Sequence, residues 1–364
     1  MKETVDPVTG SLTFPIHQTS AYLMPDGERY RYSRESNPTV EELSRVMAIL
    51  DGGEIATSFS SGMGAISTTL LALSKPGDRI LIHRDSFART YKFVTEYMKN
   101  WNMIPVVADQ GNQALLEKAG NADIVLIESM TNPILRVYDI EAIAKKVHEN
   151  NGLLVVDSTF VTPVNQKPLE LGADVVLQSL SKFISGHNDT IAGSASGNKT
   201  LIGKIDNLRR TLGTSLDPNT AYLTLRGIKT LEVRMNHINN AALKVASRMQ
   251  SLKDFRNVRY PGLQNHPDHE IARRTMSGFG GIVTFDIDIE INELMKEMKK
   301  LQIVSPANTL GGSNSTISHP STMSHRSLSR EEKEELGIND GTFRLSVGLE
   351  DPDDIVDDLR RMTS

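Results

Sequence analysis

Five short apolar runs, set between stretches of helical periodicity, constrain this chain more than any other feature. They are "DRILIH" (78–83), "MIPVVA" (103–108), "DIVLIES" (123–129), "GLLVVDS" (152–158) and "DVVLQSL" (174–180). Helical segments such as "DIEAIAKKVHEN" (139–150) separate them. Strands that are apolar throughout and alternate with helices imply a mainly parallel sheet covered on both faces. Ligands of such sheets bind beyond the carboxyl ends of the strands. The residues that follow each run therefore carry the functional argument.

The rest of the chain is organised around these runs. Residues 1–39 read as an extended arm, with prolines at 7, 15, 25 and 38 and little helical periodicity. "NPTVEELSRVMAIL" then opens a helix, with Asn37 as its cap and Pro38 in its first turn. A long helical region covers roughly 219–251, and "GGIVTFDIDI" through "GTFRLSVGLE" (341–350) reads as a smaller α+β domain. At 364 residues the chain exceeds one simple core. The expected division is an arm (1–39), a large α/β domain (40–225) and a C-terminal α+β domain (226–364). "SREEKEEL" (329–336) and "DPDDIVDDLRR" read as solvated helices.

Composition narrows the chemistry. A net charge of −5 without a basic block leaves no electrostatic footprint for nucleic acid or an anionic membrane. No apolar stretch approaches a membrane span, and "MKETVDPVTG" lacks a signal-peptide core, so a cytoplasmic enzyme is expected. The absence of cysteine removes disulfides, thiolate metal sites and thiol nucleophiles together. Lys, His, Tyr, Ser, carboxylates or a cofactor must supply the chemistry.

Two strand ends stand out. One run ends in Asp157, and the next leads into "QSLSKFISGHND" with Lys182 at its centre. A carboxylate and an amine so placed suit a pyridine ring, with its nitrogen at the Asp and its aldehyde carbon on the Lys. They equally suit an ordinary ion pair at a sheet edge. "SFSSGMGAIST" (58–68) is a small-residue turn opening a helix, whose free N–H groups could cradle a phosphate or simply form a tight helix entry. His266 and His269 in "HPDH" have a metal-like spacing but no third ligand, so a capping or surface role is expected and no metal. His187 reads as structural.

In order along the chain, further motifs accompany these. They are "YSRESNPT" (32–39), "SSGMGAI" (60–66), "ESMTNP" (128–133), "VVDSTFVTP" (155–163), "LRGIKTLEVRM" (225–235), "HPDHEIARR" (266–274), "HPSTMSH" (319–325) and "GTFRLSVGLED" (341–351). With "QSLSKFISGHND", the set resembles the pyridoxal-phosphate enzymes of the trans-sulfuration family. That family includes cystathionine γ-synthases, cystathionine and methionine lyases, and O-acyl-homoserine sulfhydrylases. The resemblance implies an aspartate-aminotransferase-like (fold type I) architecture and pyridoxal 5'-phosphate as cofactor. It makes Lys182 the Schiff-base lysine and proton shuttle, and Asp157 the partner of the pyridinium nitrogen. Ser61, Gly62, Met63, Ser179 and Ser181 would hold the phosphate. Tyr32 and Arg34 would complete that site from a neighbouring subunit, which implies at least a dimer and, by resemblance, a tetramer of two such dimers. Arg344 would grip the substrate α-carboxylate, with Asn132 beside it.

Two places depart from the family pattern. A Tyr normally stacks on the pyridoxal ring and assists the leaving group; in "RDSFARTYKF" (84–93) Phe87 takes its place. Phe stacks but cannot donate a proton, so Lys182 or a hydroxyl such as that of Tyr91 must do so, or poor leaving groups depart slowly. This favours synthase or sulfhydrylase chemistry over lyase chemistry. Asn308, before Thr309, resembles the sulfhydrylases, whereas "LGG" (310–312) resembles cystathionine γ-synthases and γ-lyases. The expected activity is γ-replacement on an O-acyl-homoserine with cysteine to give cystathionine. A sulfide-using sulfhydrylase, a γ-lyase and, remotely, a non-catalytic relative are the alternatives.

Overall fold

The computed structural model describes residues 5–6, 8–23, 29–326 and 328–363. Pro7 and Pro25 of the arm lie outside them. All five apolar runs form neighbouring strands. They are β2 (Arg79–His83), β3 (Ile104–Ala108), β4 (Ile124–Glu128), β5 (Leu153–Asp157) and β6 (Val175–Ser179). β1 (Ile55–Phe59) and β7 (Gly193–Gly197) complete a seven-stranded sheet in the order β1-β7-β6-β5-β4-β2-β3. β2 to β6 run parallel, and β7 runs antiparallel between β1 and β6.

The two-residue period of a strand explains why whole runs are apolar. Ile80, Ile82, Ile124, Leu126, Val155, Val175 and Leu177 join one buried cluster with Ile66 and Leu70 of helix α2 (Gly62–Leu73). The alternate residues Leu81, Val125, Ile127, Leu154, Val156 and Val176 join another, with Ile140, Ile143 and Val147 of helix Ile140–His148. Helices thus cover both faces, and every parallel strand ends at the same edge.

A second sheet has the order β10-β11-β12-β9-β8, formed by β8 (Arg256–Arg259), β9 (Ile282–Asp286), β10 (Ser305–Pro306), β11 (Thr316–Ser318) and β12 (Thr342–Ser346). The expected long helical region is two helices, Pro218–Ile228 and Leu231–Gln250. The longer one spans two further clusters: Leu231, Met235 and Ile238 pack in one with Leu43, Met47 and Phe183, and Ala242, Val245 and Met249 in another with Val283, Phe285, Phe343 and Leu345 of the second sheet.

The helix cap read from the sequence is present. Asn37 Oδ1 accepts from the Thr39 N–H at 3.0 Å, at the start of helix α1 (Pro38–Asp51). Of the two helices expected to be solvated, Arg330–Glu335 buries nothing. The acidic one, Pro352–Arg360, does not fit that expectation. Its Ile355, Val356 and Leu359 are buried, and Asp358 accepts from the N–H groups of Gln302, Ile303 and Val304.

Asp51 ends α1 fully buried, accepting from Ser196 Oγ at 2.6 Å and Gln178 Nε2 at 3.1 Å. Burial pushes its carboxyl up to about 6, against the hydrogen bonds, which lower it. The folded state therefore keeps a proton that the unfolded chain has released between about pH 4 and 6. Stability from this group falls as pH rises through that window and is gone above it. At about 1.4 kcal/mol per pKa unit the loss is on the order of 3 kcal/mol. Asp51→Asn should flatten the decline, so that urea midpoints at about pH 5 and pH 8 lie closer together than in the wild type. An unchanged difference would show that Asp51 is not the titrating group.

Candidate active site

A cavity of about 770 Å³ lies beyond the carboxyl ends of β4, β5 and β6. Asp157 ends β5. Lys182 sits in the turn after β6, where its N–H bonds Ser179 O at 3.3 Å. Both line the cavity, and no ion pair joins them. The ordinary Asp–Lys pair that the sequence allowed is therefore not formed. No acceptor among the described residues holds the Lys182 amine. Burial first, and then the Arg344 charge, hold its pKa below the usual lysine range. A lower pKa leaves more of the amine neutral, the form that is a nucleophile and a base.

Asp157 is held by its Oδ1, which accepts from the Thr159 N–H at 3.0 Å and the Thr159 hydroxyl at 2.5 Å. Its Oδ2 takes no protein donor. Burial raises its pKa despite those bonds. The carboxylate thus lacks a counter-charge, and a protonated ring nitrogen would supply one.

The lysine turn is anchored from behind. Arg234 Nη1 donates to Phe183 O at 2.6 Å, and Nη2 to Ile184 O at 3.1 Å and Gly227 O at 2.9 Å. Gly186 closes the turn at φ +73°, and a side chain there would collide with that guanidinium. Sequence reading missed Arg234, although it lies inside a quoted motif.

One wall is the N-terminus of α2. Its first N–H groups, on Gly62 and Met63, have no carbonyl of their own helix to bond. A Cβ on Gly62 would come within 2.9 Å of Ser179 Cβ, so only glycine lets the helix end approach β6 this closely. Of the expected hydroxyls, that of Ser179 is unpaired. Ser61 also lines the cavity, but its Oγ caps α2 by accepting from Gly64 N at 2.9 Å. Ser181 lines it too, with its Oγ engaged by the Ala192 backbone. Free N–H groups and a hydroxyl opposite an unpaired carboxylate fit the two ends of pyridoxal phosphate.

The opposite wall comes from the second sheet. Arg344 of β12 is buried, with Nη1 on Asn132 Oδ1 at 3.0 Å and Nη2 on Thr309 O at 2.9 Å. Its Nε has no partner, and no carboxylate neutralises it. Burial lowers its pKa to about 10. A buried guanidinium fixed by neutral acceptors is poised for an incoming carboxylate. Asn308 lines the same wall.

Phe87 enters the cavity from the loop after β2, directly before the short helix α3 (Ala88–Lys92). Tyr91 does not line the cavity; it packs against the core cluster of α2. Of the substitutes named for the missing hydroxyl, Lys182 faces the site and Tyr91 does not; among other hydroxyl-bearing residues, Thr322 and Ser324 also line it. Sequence reading also missed Glu128, the last residue of β4 and the register partner of Asp157. It lines the cavity and accepts from the Phe87 N–H at 2.6 Å. Burial, and then the Asp157 charge, raise its pKa well above the usual carboxylate range. The strand-end rule that found Asp157 applies equally to "DIVLIES".

Tyr32 and Arg34 stay outside this cavity. The Arg34 guanidinium stacks 5.7 Å from the Tyr32 ring centroid and donates to Arg210 O. His266 Nδ1 accepts from Asp268 N at 3.2 Å, and His269 Nδ1 bonds Pro261 O at 2.8 Å. His187 Nδ1 bonds Ser185 O at 2.6 Å. Among the described residues no helix is long and apolar enough to cross a membrane.

The chain matches known proteins over nearly its whole length. Residues 1–363 match the model of the family described as Cys/Met metabolism PLP-dependent enzymes. The chain is 39% identical over 366 residues to the chloroplastic cystathionine gamma-synthase 1 of Nicotiana tabacum, across 97% of this chain and 68% of that one. It is 37% identical over 362 residues to the cystathionine gamma-lyase of Bacillus subtilis (strain 168), across 98% and 95%. The cystathionine gamma synthase of Xanthomonas oryzae pv. oryzae, solved with aminoacrylate and cysteine, superposes with a TM-score of 0.93 at 32% identity, across 98% and 94%. The expected fold type I architecture is the one these relatives share. Synthases and lyases lie at nearly equal distance, so likeness alone does not choose between them.

Proposed function

The chain belongs to the pyridoxal-phosphate-dependent enzymes of Cys/Met metabolism, and on that premise we propose that it joins cysteine to an O-acyl-homoserine to give cystathionine. The Cγ–O bond breaks and the acyl group leaves as a carboxylate. The Cγ–S bond forms, and the thiol proton is released.

Phe87 carries this reading. It faces the cavity where a phenol would serve a departing thiol, and Tyr91 is packed away from it. A carboxylate leaves without a proton, whereas a thiolate leaves far better with one. A site with no phenol at that position suits ester substrates better than thioethers.

The other roles follow from chemistry and position. The N–H groups of Gly62 and Met63 with the Ser179 hydroxyl would hold the cofactor phosphate, and Asp157 its ring nitrogen. Pyridoxal phosphate bound there would supply an electron sink for the charge left at Cα. Lys182 takes the Cα proton and returns protons along the substrate chain. Arg344, aligned by Asn132 and Thr309, holds the α-carboxylate. Phe87 would lie against the ring, and Glu128 holds the Phe87 backbone in place. Tyr32 and Arg34 serve the phosphate site of a second copy, so the working enzyme is a homo-oligomer. Asn308 favours a second reading, in which sulfide replaces cysteine.

One product analysis tests these readings. Purified, cofactor-loaded enzyme is given an O-acyl-homoserine with cysteine and sulfide together. Cystathionine is the expected product. Homocysteine, formed while added cystathionine stays intact, would favour the sulfide reading. 2-Oxobutanoate alone would overturn both. The same assay on Phe87→Tyr should show cystathionine cleavage raised by roughly tenfold or more, since a positioned acid contributes about 10²–10⁴ when well aligned. Unchanged cleavage would remove Phe87 as the reason for the preference.

A further inference from the structure

Phe87 leaves a second gap besides the one at the departing group. The thiol that adds to Cγ carries a proton, and a side chain without a phenol cannot receive it. The carboxyls at the floor are engaged, Glu128 by the Phe87 N–H and Asp157 by Thr159, and Lys182 handles the protons on carbon. Two hydroxyls remain. Thr322 and Ser324 line the cavity from the turn after β11, and each is bonded to a buried histidine. Ser318, the residue before that turn, is the register partner of Arg344. His319 Nε2 lies 2.9 Å from the Asp340 carbonyl, which only accepts, so Nε2 carries a hydrogen. Burial holds the His319 pKa below the usual histidine value; the Asp340 carbonyl and carboxylate oppose this, and Lys333 adds to it. In the neutral ring Nδ1 is therefore bare, and the Thr322 hydroxyl donates to it at 2.9 Å. Thr322 is exposed, so its oxygen can still accept from a ligand. His325, bonded to Ser324, is the poorer base: burial and the Arg344 charge lower its pKa to about 4.

We propose that Thr322 and His319 form a relay that takes the proton of the arriving thiol. This rests on the γ-replacement reading and supplies the proton acceptor that reading needs. The S–H bond breaks with its electron pair left on sulfur, and sulfur bonds to Cγ. The thiol proton passes to Thr322 Oγ1 as the hydroxyl's own proton passes to His319 Nδ1. The electrons displaced at Cγ move along the carbon chain, where Lys182 returns a proton. The charged imidazole keeps its Nε2–H on the Asp340 carbonyl and then releases the Nδ1 proton to water through the same hydroxyl. A departing thiolate needs the charged ring at the outset, and burial keeps that form scarce at neutral pH. The relay thus favours addition of a thiol over its expulsion.

Product partition tests the relay. Holoenzyme is given O-succinyl- or O-acetyl-homoserine, whichever turns over faster, with cysteine, and the ratio of cystathionine to 2-oxobutanoate is measured. Both products follow loss of the acyl group, and only cystathionine needs the thiol proton removed. In Thr322→Val the ratio should fall at least about tenfold at pH 7, since a positioned base contributes about 10²–10⁴ when well aligned. Thr322→Ser, which keeps the hydroxyl, should recover most of it. His319→Gln keeps a donor for the Asp340 carbonyl but no base, and should resemble Thr322→Val. Both deficits should shrink as pH rises towards about 8.5, where cysteine supplies its own thiolate. A ratio that holds while both products fall would mark a structural role and overturn the relay. So would a deficit that ignores pH, or a Thr322→Ser as poor as Thr322→Val. The Thr322 pair decides even if His319→Gln folds poorly, because Thr322 is exposed. Where sulfide is the only donor accepted, homocysteine replaces cystathionine in the ratio. Wild type that forms no sulfur product from either donor refutes the γ-replacement reading and the relay with it; wild type that forms one, with variants of unaltered ratio, refutes the relay alone.

Discussion

Lys182→Ala should lose turnover by about 10³-fold or more while still taking up pyridoxal phosphate. The two halves of this result have different causes. Turnover needs a base that can reach Cα and a nucleophile for the cofactor aldehyde, and positioned groups of this kind contribute roughly 10²–10⁴ each. Lys182 is the one amine at the cavity floor; the other basic group there, Arg344, stays protonated and cannot substitute. Cofactor uptake draws on different atoms, the N–H groups that open α2 and the Asp157 carboxylate, and these survive the change. Borohydride separates the two. After reduction and denaturation, wild-type chain should retain the cofactor covalently and the variant should release it. A variant that keeps normal activity, or still fixes the cofactor on another lysine, would refute the assignment. The lowered amine pKa adds a pH test. Cofactor attachment to wild-type enzyme should proceed at pH values where an exposed lysine would still be protonated, since burial disfavours the charged form.

What the chain revealed in advance depended on how each part is buried. β2 to β6 were legible because apolar side chains cover both faces of each, and such a run has few other uses. β7 was not, although every residue of "GSASG" is buried. Its burial is backbone against backbone. A Cβ on Gly193 would strike the Ser61 carbonyl, and one on Gly197 would meet Asp174 O at 2.6 Å. Close approach selects small residues, which carry no hydropathy signal. The C-terminal helix misled in the opposite way. Its acidic count suggested solvation, but Ile355, Val356 and Leu359 fall on one face, and Asp358 is buried as an acceptor for three backbone N–H groups. Charge totals hide such placement. At the site, Asp157 and Lys182 followed from the rule that ligands bind at strand ends. The coupling of Glu128 to Phe87 did not, because a hydrogen bond between the ends of β4 and the loop after β2 leaves no mark on either segment. Tyr32 and Arg34 illustrate a further limit. Both lie outside this chain's own cavity, which is where the proposed service to a second copy would leave them.

Arg344→Ala should lower kcat/KM by roughly 10²-fold, mostly through KM, with Arg344→Lys recovering only part of it. The wild-type guanidinium is already aligned by Asn132 Oδ1 and the Thr309 carbonyl, so little freedom remains to be lost when a carboxylate arrives. Charge-assisted, two-pronged bonds of this type contribute about 1.5–3 kcal/mol, and burial raises their value. A lysine keeps the charge but not the fork, and three donors on one nitrogen do not reproduce a planar guanidinium that spans Asn132, Thr309 and a two-pronged carboxylate. The same substitution should have a second effect that a purely structural arginine would not produce. The Arg344 charge is one of the two causes holding the Lys182 pKa down. Removing it raises that pKa, so less neutral amine is present at any pH below it. The pH profile of cofactor attachment in Arg344→Ala should move to higher pH, and that in Arg344→Lys should stay near wild type because the positive charge remains. A KM change without the shift would leave Arg344 as a carboxylate ligand alone. A shift of equal size in both variants would mean that altered packing, and not charge, sets the lysine's ionisation.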